Sequence, residues 1–316
     1  MRFRFVAAEK AHHAISLVCR CLRVTRSGFY AWQRRPESAH AAEDRRLRVL
    51  VRTSFTESKH RYGSPRIHRD LLEQDVRVSR KRVIRLMQED GLRARGRKRF
   101  TCTTMSDHDQ PVAANLLDRQ FTAEAPNQRW VGDTTEFVIG ESGKLYLAVI
   151  LDLFSRFVVG WAVSAVNDRH LTLNALGMAL KRRCPDVGLL HHSDQGCTYA
   201  SEDYQRRLDA HGITCSMSRR GNCYDNAVME AFFSSLKSEL ADRFESCGAA
   251  KMELFDYIEV FYNQRRRHST IGYVSPAAFE RQAIVRREPA ASVHAAMYGG
   301  IPQPCPTDVR RSWGIL

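Results

Sequence analysis

The sequence predicts a chain in two parts: an all-α basic region over residues 1–110, then an α/β region with a mixed five-stranded sheet and flanking helices. Three observations carry this. Residues 1–110 hold 26 Lys and Arg against 12 acids, so the whole net charge of +14 lies there, while residues 111–316 hold 23 of each. Apolar residues recur at helical spacing in the first part and give way near residue 128 to runs of branched and aromatic residues. Three strand-like runs come first in the second part and helices alternate with strands after them, the pattern of a mixed sheet with helices on its faces.

In the first part, residues 14–22 are apolar and helix-prone, and Thr25 stands where it caps a helix through Trp32. A linker around Pro36 follows, then Leu47, Leu50, Val51 and Phe55 at helical spacing. Pro65 suits the first turn of a helix reaching Gln74. Ser79 caps another over residues 80–90, which Gly91 ends. Val83, Leu86 and Met87 share one face of that helix, and Arg80, Lys81, Arg82 and Arg85 cluster near its amino end. A short helix, a tight turn and a basic second helix form a helix-turn-helix, in which the second helix enters the DNA major groove. A plain helical hairpin with a charged outer face has the same pattern. The arginine excess points to a polyanion, because the planar guanidinium fork pairs with phosphate oxygens. The basic run RARGRKR (93–99) and a polar linker over 111–127 lead into the second part.

There the strands are expected at 130–139, 145–153 and 157–164, with GESGK and FSR as the turns of an antiparallel meander. A helix over 169–183, a strand at 189–193, a helix at 202–210 and a strand at 213–217 follow, and Asn226 is expected to cap a long helix reaching Phe244. Three acids occupy telling places. Asp133 lies inside the first strand, Asp194 at the end of a later one, and Glu230 one turn into the long helix. If the strands are neighbours and the helix packs across them, the carboxylates converge. Two carboxylates about 4 Å apart repel by about 4 kcal/mol at an effective dielectric near 20, so such a group stays ionised only with cations among its members. Mg²⁺ takes oxygen ligands and keeps room for substrate phosphate. Two such ions about 3.5–4 Å apart hold the attacking and leaving oxygens of an in-line phosphoryl displacement. Taken singly, each acid also fits a local role: Asp133 paired with an arginine, Asp194 in a turn before Gly196, Glu230 offsetting the helix dipole.

The words around these acids narrow the choice. HHSDQGCTYAS (191–201), SMSRRGNCYDNAVMEAFFSSLKSEL (216–240) and YNQRRRHSTIGYVSPAAFE (262–280) resemble the bacterial insertion-sequence-three transposases, in particular their second-frame, catalytic product. That family's signature is Asp, Asp and Glu with 35 residues between the last two, the number that separates Asp194 from Glu230. Its first Asp, in a Trp-x-x-Asp-x-Thr setting, falls on Asp133, and its Lys seven residues after the Glu falls on Lys237. TRSGFYAWQRR (25–35), with Thr25 where the family has Ser, and YGSPRIHRDL (62–71) extend the resemblance over about residues 10–282. The resemblance implies a ribonuclease-H-like integrase core over 128–282, with Asp133, Asp194 and Glu230 as catalytic residues and ligands of two Mg²⁺ or Mn²⁺ ions. It implies cleavage and transfer of DNA strands at the ends of a mobile element. The partners implied are double-stranded DNA (terminal repeats and target), at least one further copy of the chain, and an upstream-frame protein made with it by frameshifting. Lys237, the pair Arg219 and Arg220, and the cluster Arg265, Arg266, Arg267 and His268 are candidate DNA contacts beside the basic helix. Residues 283–316 fall outside the resemblance and have no assigned role.

Other classes are disfavoured. The nine cysteines are scattered, unlike a secreted disulfide scaffold. His12, His13, Cys19 and Cys21 have the wrong separations for a zinc finger, which wants about two to four residues between cysteines. No run approaches the ~20 apolar residues of a membrane span and no cleavable leader follows Arg4, so a cytoplasmic, DNA-associated protein is expected. Asp152 is a further strand acid that could replace one of the three, Asp225 reads as part of a helix cap, and His191 and His192 read as structural.

Overall fold

The structure, a computed structural model, describes residues 1–35, 37–95, 112–220 and 222–291. Residues 96–99 of the basic run and the tail from 292 onward lie outside them. The chain divides into two compact units, Met1–Ala94 and Arg95–Leu316.

The first unit is helical. Helices α1 (Arg2–Glu9), α2 (Ile15–Cys21) and α3 (Arg26–Arg34) bury Val6, Val18, Cys19 and Phe29 in a small core. Thr25 caps α3 by accepting the Gly28 amide at 3.1 Å, as its position predicts. A second cluster comprises α4 (Ala39–Glu57), α5 (Ser64–Glu73) and α6 (Arg80–Glu89). It buries Leu47, Val51 and Phe55 against Ile67, Leu71, Val83, Leu86 and Met87, which recur at helical spacing in each element. Pro65 sits in the first turn of α5, Ser79 accepts the Arg82 amide at the start of α6, and Gly91 leaves α6 at φ +66°. Acids tie α4 and α6 together. Asp44 accepts Arg82 Nε at 2.7 Å and Arg85 Nη2 at 2.6 Å, and Asp90 accepts Arg48 and Arg52.

The second unit is α/β. Strands β1 (Arg129–Ile139), β2 (Gly143–Asp152) and β3 (Val158–Ser164) form the antiparallel meander. Then come α7 (Arg169–Arg183), β4 (Leu190–Ser193), α8 (Cys197–Ala200), α9 (Glu202–Asp209), β5 (Thr214–Met217) and α10 (Ala227–Glu239). The strand order is β3-β2-β1-β4-β5, with β4 and β5 parallel to β1, so this is the mixed sheet expected of a ribonuclease-H-like core. A sixth strand, β6 (Arg243–Phe244), has no counterpart in the sequence reading; it pairs with the far end of β1 at Val138 and Ile139. Helix α10 therefore ends at Glu239 instead of running to Phe244, because the chain must turn back to reach β1. Beyond β6, α11 (Cys247–Phe255) runs into a π-helical stretch, Asp256–Tyr262, and α12 (Pro276–Ala291) follows.

Helix α7 covers the meander. It lies so close to β3 that a side chain at Gly160 would begin 2.2 Å from the Ala175 carbonyl oxygen. Glycine is needed there for the approach of backbone to backbone. Trp130, Ala148, Ile150 and Val159 from the sheet pack against Leu171, Ala175, Leu176 and Ala179 of α7. Among the described residues no helix is long and apolar enough to cross a membrane.

Candidate active site

Strand register places two of the three acids. In the parallel pairing of β1 with β4, Trp130 faces His191 and Val131 faces His192. Two residues further along stand Asp133, still within β1, and Asp194, one residue past the end of β4, so the pairing brings both acids to the same end of neighbouring strands. The charge of Asp194 acts on the Asp133 carboxyl, as it does when the two side chains lie near one another. Gly132 makes room for this arrangement. A side chain there would begin 2.9 Å from His191 Cε1, so the imidazole lies against bare β1 backbone.

Helix α10 brings the third acid. Its start is tied to β1 by Asn226, which donates its side-chain amide to the Gly132 carbonyl at 3.4 Å. Asn226 makes no side-chain cap on α10, contrary to the expectation from sequence. The segment before it is held by Asp225, fully buried, which accepts from Arg119, Asn115, and the Arg219 side chain and backbone amide. Asp225 is thus the anchor of the loop, not a helix cap, and the Arg219 and Arg119 bonds hold its carboxyl far below the usual range. At the other end of α10, Glu239 accepts Arg266 Nε at 2.8 Å and Nη2 at 2.7 Å, and the Tyr257 hydroxyl at 3.0 Å. Between these two anchorages, Glu230 sits in the first turn of α10.

The electrostatics follow from the geometry. Desolvation, then the charge of Asp194 and, more weakly, of Glu230, push the Asp133 carboxyl well above its ordinary range, against one amide bond from Thr134 at 2.7 Å. No lysine or arginine among the described residues offsets it. Asp194 accepts the Gly196 amide at 3.0 Å, so it also forms the expected turn. Glu230 is exposed and its carboxyl is raised by partial burial. Among the described residues no three His, Cys, Asp or Glu side chains close into a metal cage. The donor set still fits a hard divalent cation. It is all carboxylate oxygen, and the exposed Glu230 opens it to solvent, where water and substrate phosphate complete such a shell. Asp152 does not join it. Its carboxylate accepts the Asn127 and Phe154 amides at 2.7 and 2.8 Å and shapes the turn after β2.

Comparison with known proteins gives the family. The family model described as an integrase core domain matches residues 123–223, a second so described matches 211–276, and an HTH-like domain matches 42–100. The transposase InsF of insertion sequence IS3A from Escherichia coli (strain K12) is 41% identical over 288 residues, which span 90% of this chain and all of that protein. The chain belongs to the IS3 family of transposases. The 31 kDa protein of insertion element IS600 from Shigella sonnei is likewise 41% identical, over 84% of this chain and 98% of that protein. The integrase catalytic core domain of HTLV-2, solved with magnesium, is 19% identical over 48% of this chain and 95% of its own, at a TM-score of 0.37.

Within this IS3-family transposase the eleven basic residues singled out as DNA contacts separate by what they touch. Arg80 and Lys81 are exposed at the start of α6, whereas Arg82 and Arg85 are engaged by Asp44. Arg220 and Arg265 are exposed, and Arg219 is engaged largely by Asp225. Lys237 is half-buried, its ammonium 5.4 Å from the centre of the Phe137 ring. Arg267 donates to the Tyr273 carbonyl, and His268 meets Thr270 Oγ1. Arg266 corrects the expectation outright. It is only 4% exposed and both its bonding edges go to Glu239, so it braces α10 from inside.

His191 and His192 are structural, as the sequence suggests. His191 Nε2 meets the Tyr204 hydroxyl at 2.7 Å, and His192 lies between Ser216 and Ser218. Burial lowers them to about 3 and about 4. An unfolded chain binds protons on both below about pH 6.5 while the folded chain refuses them, so folding stability is intact above that pH. It is expected to fall steadily as pH drops from about 6.5 toward 4. Denaturant titrations at pH 7, 6 and 5 check this, and a midpoint that does not move would contradict it.

Proposed function

We propose that this transposase cleaves DNA at the ends of a mobile element and joins the freed ends to new DNA, with Asp133, Asp194 and Glu230 as its catalytic acids. What supports the proposal is that β1 carries Asp133 and the paired β4 ends one residue before Asp194, with the charges of Asp194 and Glu230 both acting on Asp133. These three would hold two Mg²⁺ or Mn²⁺ ions. Bound there, the cations would supply the positive charge and nucleophile activation that in-line phosphoryl transfer requires.

The remaining work falls to the chain itself. The Asp225 anchorage and the Asn226 tie hold Glu230 beside the strand pair, so the third acid needs no large reorganisation when DNA arrives. Arg220, near the Glu230 helix, is a candidate partner for the phosphates entering the site, with Lys237 on the same helix as Glu230. Helix α6 would lie in the major groove, with Arg80 and Lys81 toward DNA, while Asp44 orients Arg82 and Arg85. Two DNA ends must be brought together, so at least two copies of the chain are expected to act, with the upstream-frame protein as a further partner.

The test is a strand-transfer assay on labelled DNA that carries the element's terminal repeat, with Mg²⁺, Mn²⁺ or chelator. Metal-dependent joined strands are expected from the natural chain together with its upstream partner. Glu230→Gln is expected to lose cutting and joining by at least about a thousandfold while keeping DNA affinity, since its loss removes charge stabilisation of the transition state. Cutting without joining would make the protein a nuclease, and a Glu230→Gln chain of full activity would remove Glu230 from the chemistry. Separately, replacing Arg80 and Lys81 by Ala is expected to weaken DNA binding. The slope of log affinity against log salt should also fall, by about one for each phosphate that is no longer neutralised. An unchanged slope would move the DNA-binding surface away from α6.

A further inference from the structure

The segment TRSGFYAWQRR (25–35) has no part in the function proposed above, and the HTH-like family match at 42–100 leaves it out. Its local fold is specific. Helices α2 and α3 are joined by residues 22–25, where Arg23 takes the left-handed conformation at φ 52° and the Val24 amide donates to the Cys19 carbonyl at 3.0 Å. Thr25 then caps α3. A short helix, a turn of about three or four residues and a second helix make a helix-turn-helix. Aromatic contact holds α3 on α1: the Phe3, Phe29 and Trp32 rings have centres 6.0 to 6.4 Å apart. Gly28 makes room for them, since a side chain there would begin 3.3 Å from Phe3 Cζ. At about 100° per residue, Gly28, Phe29 and Trp32 share the inner side of α3. Gln33, Arg26, Tyr30, Arg34 and Ser27 fall within about 120° of arc on the other side. All five are exposed, Tyr30 by 44%.

The charge around this face is one-sided. Residues 1–35 carry eight Lys and Arg and a single acid, Glu9. All eight cations are exposed, and none makes an ion pair or a side-chain hydrogen bond with the described residues. Helix α6 differs, since Asp44 engages its Arg82 and Arg85. We propose that α1–α3 form a second DNA-reading module, separate from α4–α6, in which α3 enters the major groove with Arg26 and Arg34 on phosphates and Tyr30 and Gln33 at base edges. Unpaired guanidinium groups on an acid-poor surface suit a polyanion, and binding one releases the counterions condensed on it. The residues between them suit base edges: Gln pairs with adenine through N6 and N7, and an aromatic ring packs on the thymine methyl. A protein interface of this size would instead place an apolar centre there, with few charges. The module adds to the α6 assignment and does not depend on it, so one chain would hold its DNA through two helices at separate places along the duplex.

The test measures binding of the full-length chain to two labelled duplexes, one carrying the element's terminal repeat and one of unrelated sequence, over a range of salt. Arg26→Ala combined with Arg34→Ala is expected to weaken binding to both by about tenfold or more, and to lower the slope of log affinity against log salt by about two. The pair Arg26→Gln and Arg34→Gln, which keeps a polar surface, should do the same. Tyr30→Ala and Gln33→Ala should leave the slope unchanged and each cut the preference for the terminal repeat by about tenfold. All these side chains are exposed, so the melting temperatures should match that of the natural chain. Affinity and slope unchanged in both arginine pairs would overturn the inference. So would an equal loss on the two duplexes from Tyr30→Ala and Gln33→Ala, because α3 would then lie outside the groove. A change of oligomeric state with DNA binding intact would make the face a protein interface and overturn it too. Arg80→Ala with Lys81→Ala keeps the two ideas apart: if that pair has no effect while the α3 variants behave as expected, the α6 assignment fails alone.

Discussion

Carboxylates repel, and a chain that gathers several must commit other interactions to keep them together. Here the gathering rests on one short parallel ladder, in which Arg129–Val131 pair with Leu190–His192. A one-residue slip in that ladder would turn Asp194 to the opposite face and leave Asp133 without its neighbour. Much of the surrounding structure serves to prevent such a slip. Gly132 lets His191 lie against the backbone, Tyr204 holds His191 from behind, and His192 is fixed by two serines of the chain just beyond. Neutral, deeply buried imidazoles are an unusual filling for a sheet, and they make the register sensitive to acid in a way that leucines would not.

The third acid depends on a different device. A helix laid across a sheet can slide or tilt, and the role proposed for Glu230 requires that it do neither. Helix α10 is therefore fixed at both ends by polar bonds that its own sequence does not advertise: Asn226 to the Gly132 carbonyl at the start, Glu239 to Arg266 at the finish. The second is a buried ion pair with both carboxylate oxygens and two guanidinium edges satisfied. Breaking such a pair from one side costs about 3–5 kcal/mol, which makes it a strong constraint on position even if it adds little net stability.

What was legible in the sequence followed from local rules. The meander, α7, the Thr25 and Ser79 caps and the turn at Gly91 each rest on periodicity or on the preferences of one residue, and the structure has them within a residue or two. The family resemblance supplied the acids, whose wide separation gives no local signal. The misreadings share one cause, a partner distant in the chain. Asn226 looks like a cap because capping is the commonest short-range use of Asn, yet its partner lies 94 residues earlier. Arg266, inside a run of three arginines, looks like a solvated face, and only Glu239, 27 residues before it, draws it inward. Strand β6 is two residues long and has no pattern to detect, but it sets where α10 must stop.

The central claim is that Asp133, Asp194 and Glu230 form one metal-binding centre because the β1–β4 register and the anchored α10 place them so. Anomalous diffraction at the manganese edge, on crystals of the full chain soaked in Mn²⁺, examines it most directly. The account predicts strong peaks among these three carboxylates, abolished or reduced in crystals of the Asp133→Asn chain. Manganese held elsewhere, with the strand register intact and the three acids empty, would contradict it.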